Sequence, residues 1–137
     1  MNAVDTNVLI YAQDPRDPGK RQIANTLVDN PTDAVLLWQV ACEYLAASRK
    51  LVPFGFSADE AWKDMEVLRS GWQTALPNWD VYERARELMY KDGLSFWDSL
   101  LVAGCIEAGV KTLYSEDLGG RSSVSGLSFI NPFTTSR

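Results

Sequence analysis

The sequence predicts one α/β domain on a mostly parallel sheet. Short apolar, strand-forming runs alternate with stretches of helical periodicity along the whole chain, the pattern of strand–helix–strand units and so of a parallel sheet with helices on both faces. One of these runs, Ala34-Val35-Leu36-Leu37-Trp38, is continuously apolar between turn residues, as a strand covered on both faces must be. The 137 residues match one ordinary domain and are enough to bury a core without staples. No repeat, low-complexity tract or linker divides them, so residues 1–137 read as a single domain.

The elements follow in order. Ala3-Val4 is a strand tip that runs into Asp5, and an apolar helical turn or two follows over residues 7–11. Residues 13–19, with Asp14, Pro15, Asp17 and Pro18, form a loop by turn chemistry. Ile23, Leu27 and Val28 give helical spacing to residues 20–29, which the Asn30-Pro31-Thr32-Asp33 break ends. The buried strand over residues 34–38 comes next. Residues 39–49 are a helix burying Val40, Ala41, Tyr44, Leu45 and Ser48, with Glu43 beside that face. After a break at residues 53–56, Ser57 and Glu60 form a capping box that opens a helix to about residue 69. Thr74-Ala75-Leu76 is a short strand or extended connector. Residues 80–90 are a helix with Val81, Ala85, Leu88 and Met89 inward, closed by Gly93. Ser95-Phe96-Trp97-Asp98 opens the most apolar helix, residues 99–108, buried on more than one side. Thr112-Leu113-Tyr114 is a strand, Ser115-Glu116-Asp117 lies at its carboxyl end, residues 119–123 are a flexible loop, and residues 127–130 are the last strand.

Composition narrows the chemistry. The chain is 46% hydrophobic and 23% charged, the make-up of a folded soluble domain. Its net charge of -5 argues against gripping nucleic acid through a basic surface alone, but leaves open a nucleic-acid enzyme whose site metal cations complete. Cys42 and Cys105 lack metal-type spacing and read as small buried residues, in keeping with a reducing, cytoplasmic compartment. No apolar run is long enough to span a membrane, and no secretory signal precedes the first strand. The chain has no histidine, which removes histidine-based triads, histidine–metal sites and paired-histidine ribonuclease chemistry.

Four carboxylates remain as candidates, each with a competing structural role. Asp5 ends a strand where parallel α/β folds place ligands, or it caps the next helix. Glu43 faces the site or is a solvated helix glutamate. Asp98 faces the site or completes a cap with Ser95. Asp117 lies past a strand on the same sheet edge as Asp5. If they converge, four anions without a cationic partner nearby in sequence require a cation or raised pKa values. Oxygen ligands select the hard cations Mg²⁺ or Mn²⁺, and such a site supports metal-assisted hydrolysis of phosphate esters.

These residues amount to a resemblance. Val4-Asp5-Thr6-Asn7-Val8-Leu9-Ile10-Tyr11-Ala12, Glu43 in Val40-Ala41-Cys42-Glu43-Tyr44, Ser95-Phe96-Trp97-Asp98-Ser99-Leu100-Leu101-Val102-Ala103, Leu113-Tyr114-Ser115-Glu116-Asp117-Leu118 and the closing Asn131-Pro132-Phe133 stand in the order found in PIN-domain ribonucleases. The chain resembles the VapC toxins of toxin–antitoxin pairs. The resemblance implies a three-layer α/β/α PIN-like fold and a Mg²⁺- or Mn²⁺-dependent endoribonuclease acting as the toxin of a type II toxin–antitoxin system. It implies that Asp5, Glu43, Asp98 and Asp117 form the metal-binding catalytic site, with Asp5 and Asp98 the firmest ligands. Thr6, Asn7 and Ser115 fall at supporting positions, and Glu116 either lends a further carboxylate or faces solvent. A homodimer, an RNA substrate and a cognate antitoxin are implied as well.

Arg49, Lys50 and Arg121 are candidates for RNA phosphates, and Phe54, Phe56, Trp62, Trp72 and Trp79 for a contact surface or for core. Three alternatives compete. A haloacid-dehalogenase phosphatase needs an acid where Asn7 stands, a receiver domain needs a paired acid and a lysine that are not evident, and a non-catalytic PIN scaffold usually lacks one of the acids.

Overall fold

A computed structural model describes residues 1–30 and 32–134. Pro31, at the centre of the expected break, lies outside the described residues, as do residues 135–137. Among the described residues there are six α-helices and six strands, with helices in pairs between most of the strands. They are β1 (Asn2–Val4), α1 (Thr6–Tyr11), α2 (Pro18–Asp29), β2 (Val35–Leu37), α3 (Trp38–Ala47), α4 (Ala58–Gly71), β3 (Gln73–Ala75), α5 (Trp79–Asp92), α6 (Phe96–Glu107), β4 (Thr112–Tyr114), β5 (Ser123–Val124) and β6 (Leu127–Ile130). A 3-10 helix over Ser48–Phe54 joins α3 to α4.

The main sheet runs β1-β4-β6-β5. β1 pairs parallel with β4 (Val4 opposite Tyr114), β4 pairs parallel with β6 (Leu113 opposite Phe129), and β5 is antiparallel to β6. β2 and β3 form a separate parallel pair. A single parallel bridge, Asn2 with Ala34, joins this pair to the free edge of β1, with the Asn2 N–H donating to the Asp33 carbonyl at 2.9 Å. The chain therefore leaves β1 towards β2 and β3 on one side and returns to β4 on the other. The direction of winding reverses at β1, and in open α/β sheets ligands bind outside the carboxyl ends of the strands at such a point.

The apolar faces explain the packing. Ala3, Val4, Leu36, Leu113 and Leu127 of the strands meet Val8, Leu9, Val40, Tyr44, Val102 and Cys105 of the helices in one core. α6 is apolar nearly all round and buries Ser99, Leu101, Val102, Ala103 and Cys105. α3 is tied to α4 by the buried Tyr44, whose hydroxyl donates to Asp64 Oδ2 at 2.6 Å. The capping box of α4 is present in both directions: Glu60 N–H donates to Ser57 Oγ at 3.1 Å, and Ser57 N–H to Glu60 Oε1 at 3.0 Å.

Several boundaries differ from the sequence reading, each for a local reason. α2 begins at Pro18, because Asp17 accepts from the Lys20 N–H and proline suits a first helical turn. Trp38 opens α3 rather than closing β2. β3 ends at Ala75, and Leu76 is outside it and exposed. Met89, expected inward, is exposed on α5, whose buried stripe is Val81, Ala85 and Leu88. Cys42, expected to be buried, is exposed: two positions from Val40 and two from Tyr44, it faces away from the side they bury. Cys105 is buried as expected, and burial together with the Asp5 charge pushes its thiol well above the usual range. The expected loop at residues 119–123 reaches into β5, which a turn at Ser125 (φ 50°) and Gly126 (φ 86°) folds back onto β6.

Candidate active site

Asp5 directly follows β1, and Ser115 to Asp117 directly follow the neighbouring β4, so both loops open at one sheet edge. Two hydrogen bonds extend the ladders past the strands: Asp5 N–H donates to the Tyr114 carbonyl at 2.8 Å, and Ser115 N–H to that of Ile130 at 2.9 Å. α3 brings Glu43 to this edge after β2, and the first turn of α6 brings Asp98. All four acids line one open cleft of about 540 Å³, together with Thr6, Asn7, Tyr11, Asp14, Arg16, Lys50, Trp97 and Glu116, among others.

The competing roles of Asp5 turn out to be compatible. Its Oδ1 accepts from the Thr6 N–H at 2.7 Å and caps α1, while Oδ2 accepts from the Ser115 hydroxyl at 2.7 Å. Burial raises its carboxyl above the usual carboxylate range. The two hydrogen bonds oppose that, and the charges of Glu43 and Asp117 add to it. Glu43 is half-buried, not a freely solvated side chain, and its Oε1 accepts from the Thr6 hydroxyl at 3.0 Å. Asp98 also belongs to a cap, since its N–H donates to Ser95 Oγ at 3.2 Å. That bond uses the backbone and leaves the carboxylate to the cleft.

The expected supporting residues interlock. Ser115, buried, is the hub: besides donating to Asp5, its oxygen accepts from the Asp117 N–H at 3.2 Å and from Asn7 Nδ2 at 3.4 Å. Asn7 Nδ2 also reaches Asp117 Oδ2 at 3.4 Å, and Asn7 Oδ1 accepts from the Glu116 N–H at 3.4 Å. Glu116 neither faces solvent nor stands free. Tyr11 donates to its Oε1 at 2.8 Å, and Lys20 pairs with its Oε2 at 2.5 Å. Burial pushes the Glu116 carboxyl up, but the two donors overcome it and hold the group below the usual range. Lys20 also stands over the rings of Tyr11 and Phe133, at 4.6 and 5.6 Å.

Of the basic candidates, Lys50 lines the cleft, whereas Arg49 and Arg121 do not. Of the aromatic ones, Phe56 and Trp72 are core, Trp62 and Trp79 are exposed, and Phe54 stacks on Arg16. Arg16 and Lys20 were missed by the sequence reading. They lie in or beside a loop whose partners, Phe54 and Glu116, are remote in sequence.

A family model of the PIN domain matches residues 3–119. The chain belongs to the PIN domain family. Comparison with curated proteins gives no match. Among solved structures, this PIN domain is similar to a toxin–antitoxin complex from Klebsiella pneumoniae (TM-score 0.70, 17% identity, covering 96% of this chain and 98% of that one). It is also similar to VapC20 of Mycobacterium tuberculosis, a sarcin–ricin loop cleaving toxin (TM-score 0.66, 17% identity, 85% and 90%). A third is VapBC2 of Rickettsia felis, bound to a DNA fragment from its promoter (TM-score 0.66, 16% identity, 95% and 97%). At these identities the likeness is one of fold, a PIN-like α/β architecture with a mostly parallel central sheet.

The donor set of this PIN domain fits a hard divalent cation by its chemistry: four carboxylates on one cleft, one of them disfavoured as a bare anion. Among the described residues, no three acidic or thiol side chains are gathered closely enough to hold an ion as they stand.

Proposed function

We propose that the chain is a metal-dependent endoribonuclease, hydrolysing RNA phosphodiester bonds as the toxin of a type II toxin–antitoxin system. The observation that carries this is the convergence of Asp5, Glu43, Asp98 and Asp117 on one cleft at the winding reversal of a PIN domain, in a chain without histidine. The fold neighbours, a sarcin–ricin loop cleaving toxin and toxin–antitoxin complexes among them, support the same reading.

In this reading Asp5 and Asp98 are the principal ligands of Mg²⁺ or Mn²⁺, and Glu43 and Asp117 bind a second ion or orient the attacking water. A bound divalent cation acidifies water and offsets the charge that develops on the phosphate. The chain's own residues hold the acids in place. Ser115 fixes the Asp5 rotamer through Oδ2, Thr6 fixes Glu43, and Asn7 draws Asp117 towards the β1 loop. Lys20 and Tyr11 engage Glu116 and so keep it out of the ligand set.

The proposal extends to partners. Trp38, Leu76 and Trp97 are exposed around an apolar groove of about 620 Å³ that shares Gln39, Glu43 and Trp97 with the acidic cleft. Exposed apolar surface of this kind suits a second copy or an antitoxin. None of the helices is long and apolar enough to cross a membrane among the described residues, which accords with a cytoplasmic enzyme.

The test is calorimetric titration of Mn²⁺ into the protein and into Asp98→Asn, with RNA cleavage followed in parallel. Saturable binding and cleavage, both lost in the variant, support the proposal. The second reading is a PIN domain that binds without cutting. Wild-type protein that takes up no metal and cuts no RNA would establish that reading instead.

A further inference from the structure

The loop after α1, which lines the cleft, carries an arrangement that the acidic site does not explain. Asp14 is a buried carboxylate, 5% exposed. A buried carboxylate is retained only with close partners. Among the described residues its hydrogen-bond donors all come from Arg16: the backbone N–H donates to Oδ1 at 3.0 Å, Nε to Oδ1 at 3.0 Å, and Nη2 to Oδ2 at 2.8 Å. The guanidinium also lies 4.3 Å from the ring centroid of Phe54, at the end of the 3-10 helix. One edge and one face of Arg16 are thus held, while its side chain stays 52% exposed. Two of the five guanidinium N–H donors go to Asp14, so three remain for a ligand. Asp14 and Arg16 both line the cleft that holds the four acids.

We propose that Arg16 docks a non-scissile phosphate of the RNA strand through the free edge of its guanidinium, with Asp14 and Phe54 fixing it for that task. This rests on the nuclease reading and adds a substrate contact that the acids do not supply. The logic is electrostatic and geometric. A cleft lined by carboxylates repels a polyanion, and a cation held at the acids would serve the scissile phosphate only. A fixed, forked donor on the lining of the same cleft matches the tetrahedral oxygens of a neighbouring phosphate and gives up little rotamer freedom on binding. Lys50, also on the cleft, adds a mobile point charge and no comparable fork.

The experiment measures binding of a short fluorescein-labelled single-stranded RNA by anisotropy over a series of KCl concentrations, with Ca²⁺ in place of Mg²⁺. The parent is the wild-type protein, whose carboxylates keep an oxygen-ligated cation while the strand is held without being consumed. Arg16→Met keeps the aliphatic stem and removes the fork. The expected result is about a tenfold loss of affinity and a slope of log affinity against log salt smaller by about 0.7, the value for one lost phosphate contact on a single strand. Arg16→Lys should restore the slope and only part of the affinity.

Unchanged slope and affinity in Arg16→Met, with cleavage by wild type intact, would overturn the inference and leave the nuclease reading standing. A weaker affinity at unchanged slope, with a lowered melting temperature, would also overturn it, because it marks Arg16 as a loop brace. If Arg16→Met does not fold, Arg16→Gln carries the same comparison. No RNA binding by the parent and no cleavage by wild type in Mg²⁺ or Mn²⁺ would remove the nuclease reading, and this inference with it.

Discussion

Replacing Ser115 by alanine isolates the hub of the site without touching a carboxylate. The hydroxyl is buried and makes three hydrogen bonds of unequal worth. Its donation to Asp5 Oδ2 at 2.7 Å is short and charge-assisted, a class worth about 1.5–3 kcal/mol net. The bonds it accepts, from the Asp117 N–H at 3.2 Å and Asn7 Nδ2 at 3.4 Å, sit at or past the long end of the normal range and add little. Water in the open cleft replaces part of the loss, so the cost for Ser115→Ala at pH 7 is about 2 kcal/mol. In a chain of this length that lowers the melting temperature by roughly 6–10 °C.

The pH dependence has a definite sign. Ser115 stabilises the ionised form of Asp5, so the variant holds the Asp5 proton more tightly than wild type. The difference between the two proteins should therefore shrink as pH falls through the Asp5 titration, which burial places above the usual carboxylate range. Urea denaturation of both proteins in chelator, from pH 7 to pH 4, measures it. A cost under about 0.5 kcal/mol at pH 7, or one that stays constant across the range, would refute the assignment of the Ser115 bond as the main support of Asp5.

Three other substitutions follow from the same geometry. Asp5→Asn should abolish metal-dependent cleavage and, without metal, stabilise the fold at neutral pH. Ionising a carboxyl held above its ordinary value of 3.8 costs stability at higher pH, and that gain should vanish below it. Circular dichroism showing an unfolded variant would make Asp5 structural. Tyr44→Phe removes the bond to Asp64 that ties α3 to α4 and should cost about 1.5 kcal/mol in urea denaturation. Ser99→Ala should stabilise by about 1 kcal/mol, read as a raised melting temperature, because the buried Ser99 Oγ has no partner among the described residues and alanine is the better helix former.

Much of the frame is legible in the residues themselves. Thr112–Tyr114 and Leu127–Ile130 are strands with the boundaries their patterns imply, and Ser57 with Glu60 marks the start of α4. The acids just past strand ends and on the helices that follow are legible because parallel topology brings carboxyl ends of neighbouring strands together. β5 is too short to show a period, though the Ser125-Gly126 dipeptide between Val124 and Leu127 is a hairpin signal. Cys42 sits in an apolar helix, but the buried 40, 44, 48 stripe passes it by. The roles of Arg16, Lys20 and Glu116 were out of reach, because their partners are fixed only when the loop after α1 meets Phe54 and the loop after β4.

The single bridge between Asn2 and Ala34 also bears on the mechanics of the cleft. Asp5 and Asp117 ride on the β1–β4 side of that seam, while Glu43 rides on α3, behind β2. Shear along the seam breaks little backbone pairing, yet it changes the spacing between Glu43 and Asp5, which the Thr6–Glu43 bond spans. If the acids bind an ion as proposed, any adjustment of Glu43 towards Asp5 would run along this line in the sheet. Amide exchange at Val35–Leu37 and Gln73–Ala75 should outpace that in β1 and β4, and slow when Mn²⁺ clamps the two sides together.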